Sequence, residues 1–196
     1  ISSLEGGALN DTIIFADEST YIGGTIDGKD GDLYLIGDEI NLSDITRGTG
    51  NLFIRAASDS LEILLGGTGD ASGSADTLDL VEDEFVNIAD TFTGITIGTR
   101  DGGSIRLLSD QSSQRPLTLL SGRTIDTSNG SLSTANRSAL MLDADTIVAD
   151  VLATDGGDIS LNSVGSITVV ALDARNPSFD DSLPVSETNQ KGGTIT

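Results

Sequence analysis

Two hexapeptides set 19 residues apart constrain this chain more than anything else in it. Gly31-Asp32-Leu33-Tyr34-Leu35-Ile36 and Gly50-Asn51-Leu52-Phe53-Ile54-Arg55 align position for position at that offset. Successive side chains of a strand point to opposite faces, so Leu33 and Leu35, like Leu52 and Ile54, share one face. Ile40 and Leu42 match Leu61 and Ile63 more loosely in the segments that follow. At about 3.3 Å per residue, 19 residues hold two or three strands of four or five residues plus their corners. That is the length of one turn of a parallel β-helix, in which each strand pairs with its equivalent one turn later.

The stretch from Asp155 to Leu172 carries the same grammar. Gly156-Gly157 reads as a turn, Ile159 and Leu161 as the inward residues of a strand, and Ser163 to Gly165 as a small-residue corner. Ile167 and Val169 then alternate in a second strand before Leu172. Its opening phrase recurs as Asp101-Gly102-Gly103-Ser104-Ile105-Arg106-Leu107 and as Lys191-Gly192-Gly193-Thr194-Ile195-Thr196. Leu140 to Ile159 again spans 19 residues. Between residue 102 and that point the expected inward residues are Ile105 and Leu107, Leu117 and Leu119, Ile125 and Leu132, Leu140 and Leu142, and Ile147 and Val151. The expected fold is an all-β, right-handed parallel β-helix with turns of about 19 residues, right-handed because parallel connections strongly prefer that hand.

Three regions depart from the plain rhythm. In residues 1–30, where the coil begins, Asp11-Thr12-Ile13-Ile14-Phe15 and Tyr21-Ile22 read as strands among glycine turns. Residues 66–99 read as a loop, strand and helix insertion. Val81, Phe85, Ile88 and Phe92 fall on one helical face, Glu82, Asp83 and Glu84 favour the positive helix end, and Gly94 stops it. One short amphipathic helix near residues 81–93 is therefore expected, its apolar side on the coil or, alternatively, docking a partner. Residues 176–191, with Pro177 and Pro184, read as a loop leaving the coil.

Composition narrows the function classes. The 196 residues include 24 glycines but only 5 Phe, 2 Tyr and no Trp, so aliphatic layers must supply the core. The net charge of −21 opposes binding to nucleic acid or anionic lipid, and no apolar run reaches the length of a membrane span. With no His and no Cys, the commonest general base, zinc ligand and thiol nucleophile are missing. A Ser-Lys pair has only Lys29 and Lys191 to draw on. Carboxylates are the remaining route to an enzyme, with Asp32, Asp79 and Asp158 as outward candidates on strand faces. Each is also the ordinary solvated alternate of a strand.

Calcium is weighed at two loops. Asp27-Gly28-Lys29-Asp30-Gly31-Asp32 clusters three acids among glycines, without the closing Glu of an EF-hand. Gly66-Gly67-Thr68-Gly69-Asp70 begins a toxin-repeat nonapeptide that fails at Ala71. Turn chemistry accounts for both loops. Asn162, Ser163, Asn129 and Ser131 at corners are expected to bond between turns.

The C-terminal half resembles the repeats of filamentous haemagglutinin-like exoproteins, large cyanobacterial-type adhesins exported by two-partner secretion. The residues that carry the likeness are Gly156-Gly157-Asp158-Ile159-Ser160-Leu161, Gly165-Ser166-Ile167-Thr168-Val169, Ala171-Leu172-Asp173-Ala174-Arg175 and Gly192-Gly193-Thr194-Ile195-Thr196. Asp76-Thr77-Leu78-Asp79-Leu80, with Phe85, Ile88, Asp90, Phe92 and Ile95-Thr96-Ile97-Gly98, is similar to a second element of these proteins. The resemblance covers residues 76–196 well and 31–65 loosely.

Residues 1–196 are accordingly expected to form a single β-helix segment of a longer protein, with the export signal elsewhere. The expected function is structural: the shaft of a secreted or cell-surface adhesin-like exoprotein, not an enzyme, without catalytic, cofactor or metal residues. Expected partners are further copies stacked end to end into extracellular filaments, or a cell-surface or matrix glycan or protein, without nucleic acid or membrane insertion. The alternatives are a carbohydrate-active β-helix enzyme and a calcium-stabilised extracellular binding module.

Overall fold

A computed structural model describes residues 3–15, 21–22, 24–68, 77–175 and 196. The chain is a parallel β-solenoid of about seven turns, and its one described helix is short. The first two circuits run through β1 (Ser3–Glu5), β2 (Asp11–Phe15), β3 (Tyr21–Ile22), β4 (Thr25–Asp27), β5 (Leu33–Gly37) and β6 (Asn41–Leu42). Next come β7 (Thr46–Arg47), β8 (Asn51–Arg55), β9 (Glu62–Leu65), β10 (Thr77–Leu80) and the helix α1 (Glu82–Val86). The coil continues with β11 (Gly94–Gly98), β12 (Ile105–Leu107), β13 (Gln111–Ser113) and β14 (Leu117–Leu120). Three long strands that bend around corners complete it: β15 (Thr124–Thr134), β16 (Leu140–Thr154) and β17 (Ile159–Asp173).

The first face is the most regular. Leu33, Leu52, Ile95, Leu117, Leu140 and Ile159 stack in one register row, above Asp11 of β2. Leu33 lies on Leu52 and Leu140 on Ile159, so both offsets of 19 are true turns. Other turns take 22 or 23 residues, and Leu52 to Ile95 takes 43. Inward aliphatics from successive turns form one continuous column of buried Leu and Ile. β-branched and leucine side chains suit this geometry because each rung meets the same shape above and below.

The double-length interval explains a mismatch. Leu42 and Ile63 do not pair: Leu42 lies beside Ile22, and Ile63 lies between Leu78 and Ile105. β10 runs parallel to β9 on the edge away from β12, adding a strand to the second face where the first face, with β5 directly on β8, has none. The free edge of β6 is closed instead by side chains from α1. Glu84 Oε1 accepts Leu42 N–H at 2.8 Å, and Asn87 Nδ2 donates to the Leu42 carbonyl at 2.7 Å.

The helix is shorter than its apolar spacing predicts. It ends at Val86, so of the four expected residues only Phe85 lies within it. Ile88 is instead extended and bridges Thr46, while Phe92 is buried in the turn before β11. Two further expectations are corrected. Leu152, not Val151, points inward from β16, paired with Leu132 and Leu172, because the corner at Asp150 shifts the alternation by one. Ile167 sits in the inward register over Ile147 yet is 47% exposed, because it lies in the last described strand.

The Gly-Gly phrases turn out to mark corners rather than one repeating site. Gly103 precedes a strand of the second face and Gly157 a strand of the first. What they share is crowding: a Cβ on Gly103 would lie 1.9 Å from the Leu61 carbonyl oxygen, and one on Gly157 2.1 Å from that of Ser138. Thr196 pairs with β17 through its N–H to Ile159 and through its carbonyl from Leu161, each at 2.9 Å. The phrase at 191–195 and the loop at 176–191 lie outside the described residues.

Candidate functional site

The acids singled out from the sequence separate in space. Asp32 immediately precedes Leu33 and Asp158 immediately precedes Ile159, so they occupy one longitudinal row five rungs apart. At about 4.8 Å per rung that is roughly 24 Å, well beyond the 5–9.5 Å of a glycosidase carboxylate pair. Asp79 is on the second face and, at 4% exposure, is buried rather than outward. The structure does not bring these three together.

The loop at 27–32 is an ion-paired corner. Asp27, at the end of β4, is buried; its Oδ1 accepts Lys29 N–H at 3.0 Å, and its Oδ2 accepts Lys29 Nζ and Arg47 Nε, each at 3.0 Å. The Lys29 backbone N–H holds the Asp27 carboxyl below its usual range. Lys29 Nζ and Arg47 add to this, and burial opposes it. The same hydrogen bond to Asp27 raises the Lys29 ammonium. Asp32 turns away, its Oδ1 accepting Asn51 N–H at 2.8 Å and Asn51 Nδ2 at 3.0 Å one turn later, while Asp30 faces the Thr49 hydroxyl at 3.5 Å. The three acids therefore do not converge on one point. A cation at Asp27 would have to displace a lysine and an arginine. Gly66 and Gly67 make a turn with φ of +80° and +87°, and Gly69, Asp70 and Ala71 lie outside the described residues. Among the described residues, no group of three or more acids could hold a metal ion. Nor, among them, is any helix long and apolar enough to cross a membrane.

The corner polar residues bond between turns as expected. Asn162 Nδ2 donates to Asp143 Oδ2 at 3.2 Å, Ser163 Oγ to the Asp145 carbonyl at 2.6 Å, and Asn129 Nδ2 to the Leu107 carbonyl at 3.4 Å. Ser131 N–H donates to Asp110 Oδ1 at 2.7 Å. Such bonds close gaps in the backbone ladder where the chain turns and the strands part. The Lys29 ammonium is taken by Asp27 and Glu5, at 3.0 and 3.7 Å, and Lys191 lies outside the described residues.

Two features were not foreseen. Asp143, 1% exposed on the outer side of β16, pairs with Arg100 from the corner after β11. The alternation Leu142-Asp143-Ala144 gave it an outward place, but nothing local signals the arginine 43 residues away. The other is a break in the third face. That face runs β1–β4–β7 and is extended by the Ile88 bridge, then resumes with β13, β15, β16 and β17. From β4 on, its strands follow strands of the second face; residues 69–76, between β9 and β10, lie outside the described residues, and among the described ones Ile88 and β13 do not pair. A groove of about 220 Å³ opens there, lined by Phe85, Ile88 and Ile95 on the apolar side and by Ser112, Gln114 and Arg115 on the polar side. Arg115 Nε reaches across to the Asp90 carbonyl. The sequence signal for this break is the 43-residue interval between Leu52 and Ile95. No family model matches the chain, and no curated protein or solved structure matches it.

Proposed function

We propose that this chain is a rigid structural segment, part of the shaft of a secreted or surface-displayed adhesin-like exoprotein of the filamentous haemagglutinin-like kind. The observation that carries the reading is the first face, where seven strands stack in register over one unbroken aliphatic column. Each turn advances about 4.8 Å, so the seven extend about 30 Å along the axis with a backbone ladder running its length. Load along that axis is shared among ladder hydrogen bonds and the buried column, which suits a spacer that holds other modules away from a surface. The surplus of acids, 31 against 10 basic residues, keeps such rods soluble and apart. End-to-end assembly of copies belongs to the same reading, since a stack of like turns can be extended by further turns of the same kind.

Force spectroscopy with the chain held between two marker domains tests the reading. A shaft segment resists until discrete rupture events, and a chain that extends smoothly at low force overturns it. Cleavage of an acidic polysaccharide by the purified chain would replace the structural reading with the enzymatic one.

A further inference from the structure

The outer wall of the first face carries a pair of aromatic rings. Tyr34 and Phe53 are register partners on β5 and β8, and their rings stack with centroids 4.6 Å apart and planes within 8°. That separation matches the spacing of adjacent strands, about 4.8 Å, so the stack runs along the coil axis. Tyr34 covers one face of the Phe53 ring. The other face turns toward β11, where the register partner of Phe53 is Thr96.

β11 leaves that face clear. Its outward positions are Gly94, Thr96 and Gly98, since Ile95 and Ile97 point inward and are buried. A threonine is much shorter than a phenylalanine, so the outer part of the ring stands above it. The next rung, β14, sets Thr118 beside Thr96 and Leu120 beside Gly98. A shallow trough therefore crosses the wall, with about 10 Å between its bounding strands β8 and β14. Solvent reaches it: Phe53, Gly94, Thr96, Gly98 and Thr118 are all half-buried, none of them covered. Polar groups surround the ring. Asn51 gives its Nδ2 to Asp32, and its Oδ1 lies 3.4 Å from where a Gly94 Cβ would stand. Among the described residues, the Thr96 and Thr118 hydroxyls and the Arg55 guanidinium at the end of β8 have no hydrogen-bond or ion-pair partner.

We propose that this trough binds a neutral hexopyranose unit of a glycan, its C–H face on Phe53 and its hydroxyls on Asn51 Oδ1, Thr96, Thr118 and Arg55. A sugar ring is apolar on its C–H face and hydroxylated at its rim, so it uses an aromatic face and several hydrogen-bonding groups at once. Charge narrows the class further. The chain charge of −21 repels uronates and sulfated sugars, and Arg55 beside the ring repels amino sugars. Tyr34 backs the Phe53 ring from behind, so little side-chain freedom is lost when a sugar settles on it. The site stands on the geometry of this wall alone and does not depend on whether the coil bears load.

Saturation-transfer NMR with neutral tetrasaccharides of glucose, galactose and mannose tests the proposal, with galacturonate and glucosamine tetrasaccharides as comparators. At least one neutral tetrasaccharide should bind saturably, with the strongest transfer to the C–H groups of one ring face, and neither charged comparator should match it. Thr96→Arg lays a guanidinium over the free face of Phe53, and Phe53→Ala removes the ring. Each should weaken binding by about tenfold or more, the scale of a lost aromatic contact. Phe53→Tyr keeps the platform and should keep the affinity. Thr96→Arg changes an outward side chain and should leave the melting temperature unchanged, which separates loss of the site from loss of the fold. The proposal is overturned if no neutral tetrasaccharide binds or if a charged comparator binds as tightly. Unchanged affinity in both Thr96→Arg and Phe53→Ala overturns it as well.

Discussion

Removing the guanidinium of Arg100 isolates a carboxylate that the fold has taken out of water. Asp143 is 1% exposed and is held by Arg100 Nη2 and by Asn162 Nδ2 at 3.2 Å, while its backbone carbonyl accepts Ser121 N–H at 3.0 Å. Breaking a buried pair from one side typically costs 3–5 kcal/mol, because the remaining charge stays desolvated. The Arg100 side chain is 57% exposed, so water reaches one side of the pair and screens it. Arg100→Ala should therefore lose about 2–3 kcal/mol, just below the range for a fully buried pair. Asp143→Asn retains hydrogen bonding to Asn162 and should lose less, and the double variant should be no worse than Arg100→Ala alone. The assay is urea unfolding followed by both circular dichroism and tyrosine fluorescence, so that a transition shared by the two probes licenses a single free energy. A coupling energy below about 0.5 kcal/mol in the double-mutant cycle would refute the claim that these two residues clamp adjacent turns.

Thr46 and Thr127 are fully buried, and their hydroxyl oxygens have no hydrogen-bond partner, so Thr46→Val and Thr127→Val should each stabilise by about 0.5–1.5 kcal/mol and raise the melting temperature. Gly31→Ala would drive a Cβ to 2.1 Å from the Leu9 carbonyl oxygen, and Gly50→Ala one to 2.3 Å from that of Gly31. Both should destabilise by about 2 kcal/mol or more, whereas Gly7→Ala, with nothing within 4 Å, should be neutral in the same thermal melts. Because the Asp27 carboxyl is held below its ordinary 3.8, its stabilising contribution is present at neutral pH and is lost as pH falls through and below that value. Wild type and Asp27→Asn should thus differ most near pH 7 and converge in acid, as read by urea midpoints at each pH. With Asp27 already saturated by Lys29 and Arg47, added calcium should leave the melting temperature unmoved.

What the sequence makes legible is whatever repeats at short range. The alternation in Leu33-Tyr34-Leu35 and Leu52-Phe53-Ile54 places both strands and their pairing, down to the stacked Tyr34 and Phe53 rings 4.6 Å apart. The corner role of Asn162 and Ser163 follows from the same local chemistry. Long-range events leave no such trace. The apolar spacing of Ile88 and Phe92 is helical, yet bridging Thr46 and filling the turn before β11 wins over helix propensity once the neighbouring turn offers an unpaired edge. Asp79 alternates with Leu78 and Leu80 like any solvated residue, yet it is buried in β10, the added strand of the second face. Asp32 and Asp158 show the reverse: similar local settings recur five turns apart along one wall of the coil.

The most direct measurement of whether the turns are equivalent, stackable units is a pair of deletions in β16. Removing residues 140–158 excises one 19-residue turn and brings Ile159 onto Leu117, with Ile167 and Leu172 succeeding Ile147 and Leu152 in their rows. Removing residues 140–149 takes out part of a turn and leaves the third face without the strands that should lead into it. The first variant should fold, keep the parallel-sheet circular dichroism of the parent and unfold cooperatively in urea; the second should not. If the whole-turn deletion unfolds the chain as completely as the partial one, the chain is not a stack of in-register turns and the shaft reading falls with it.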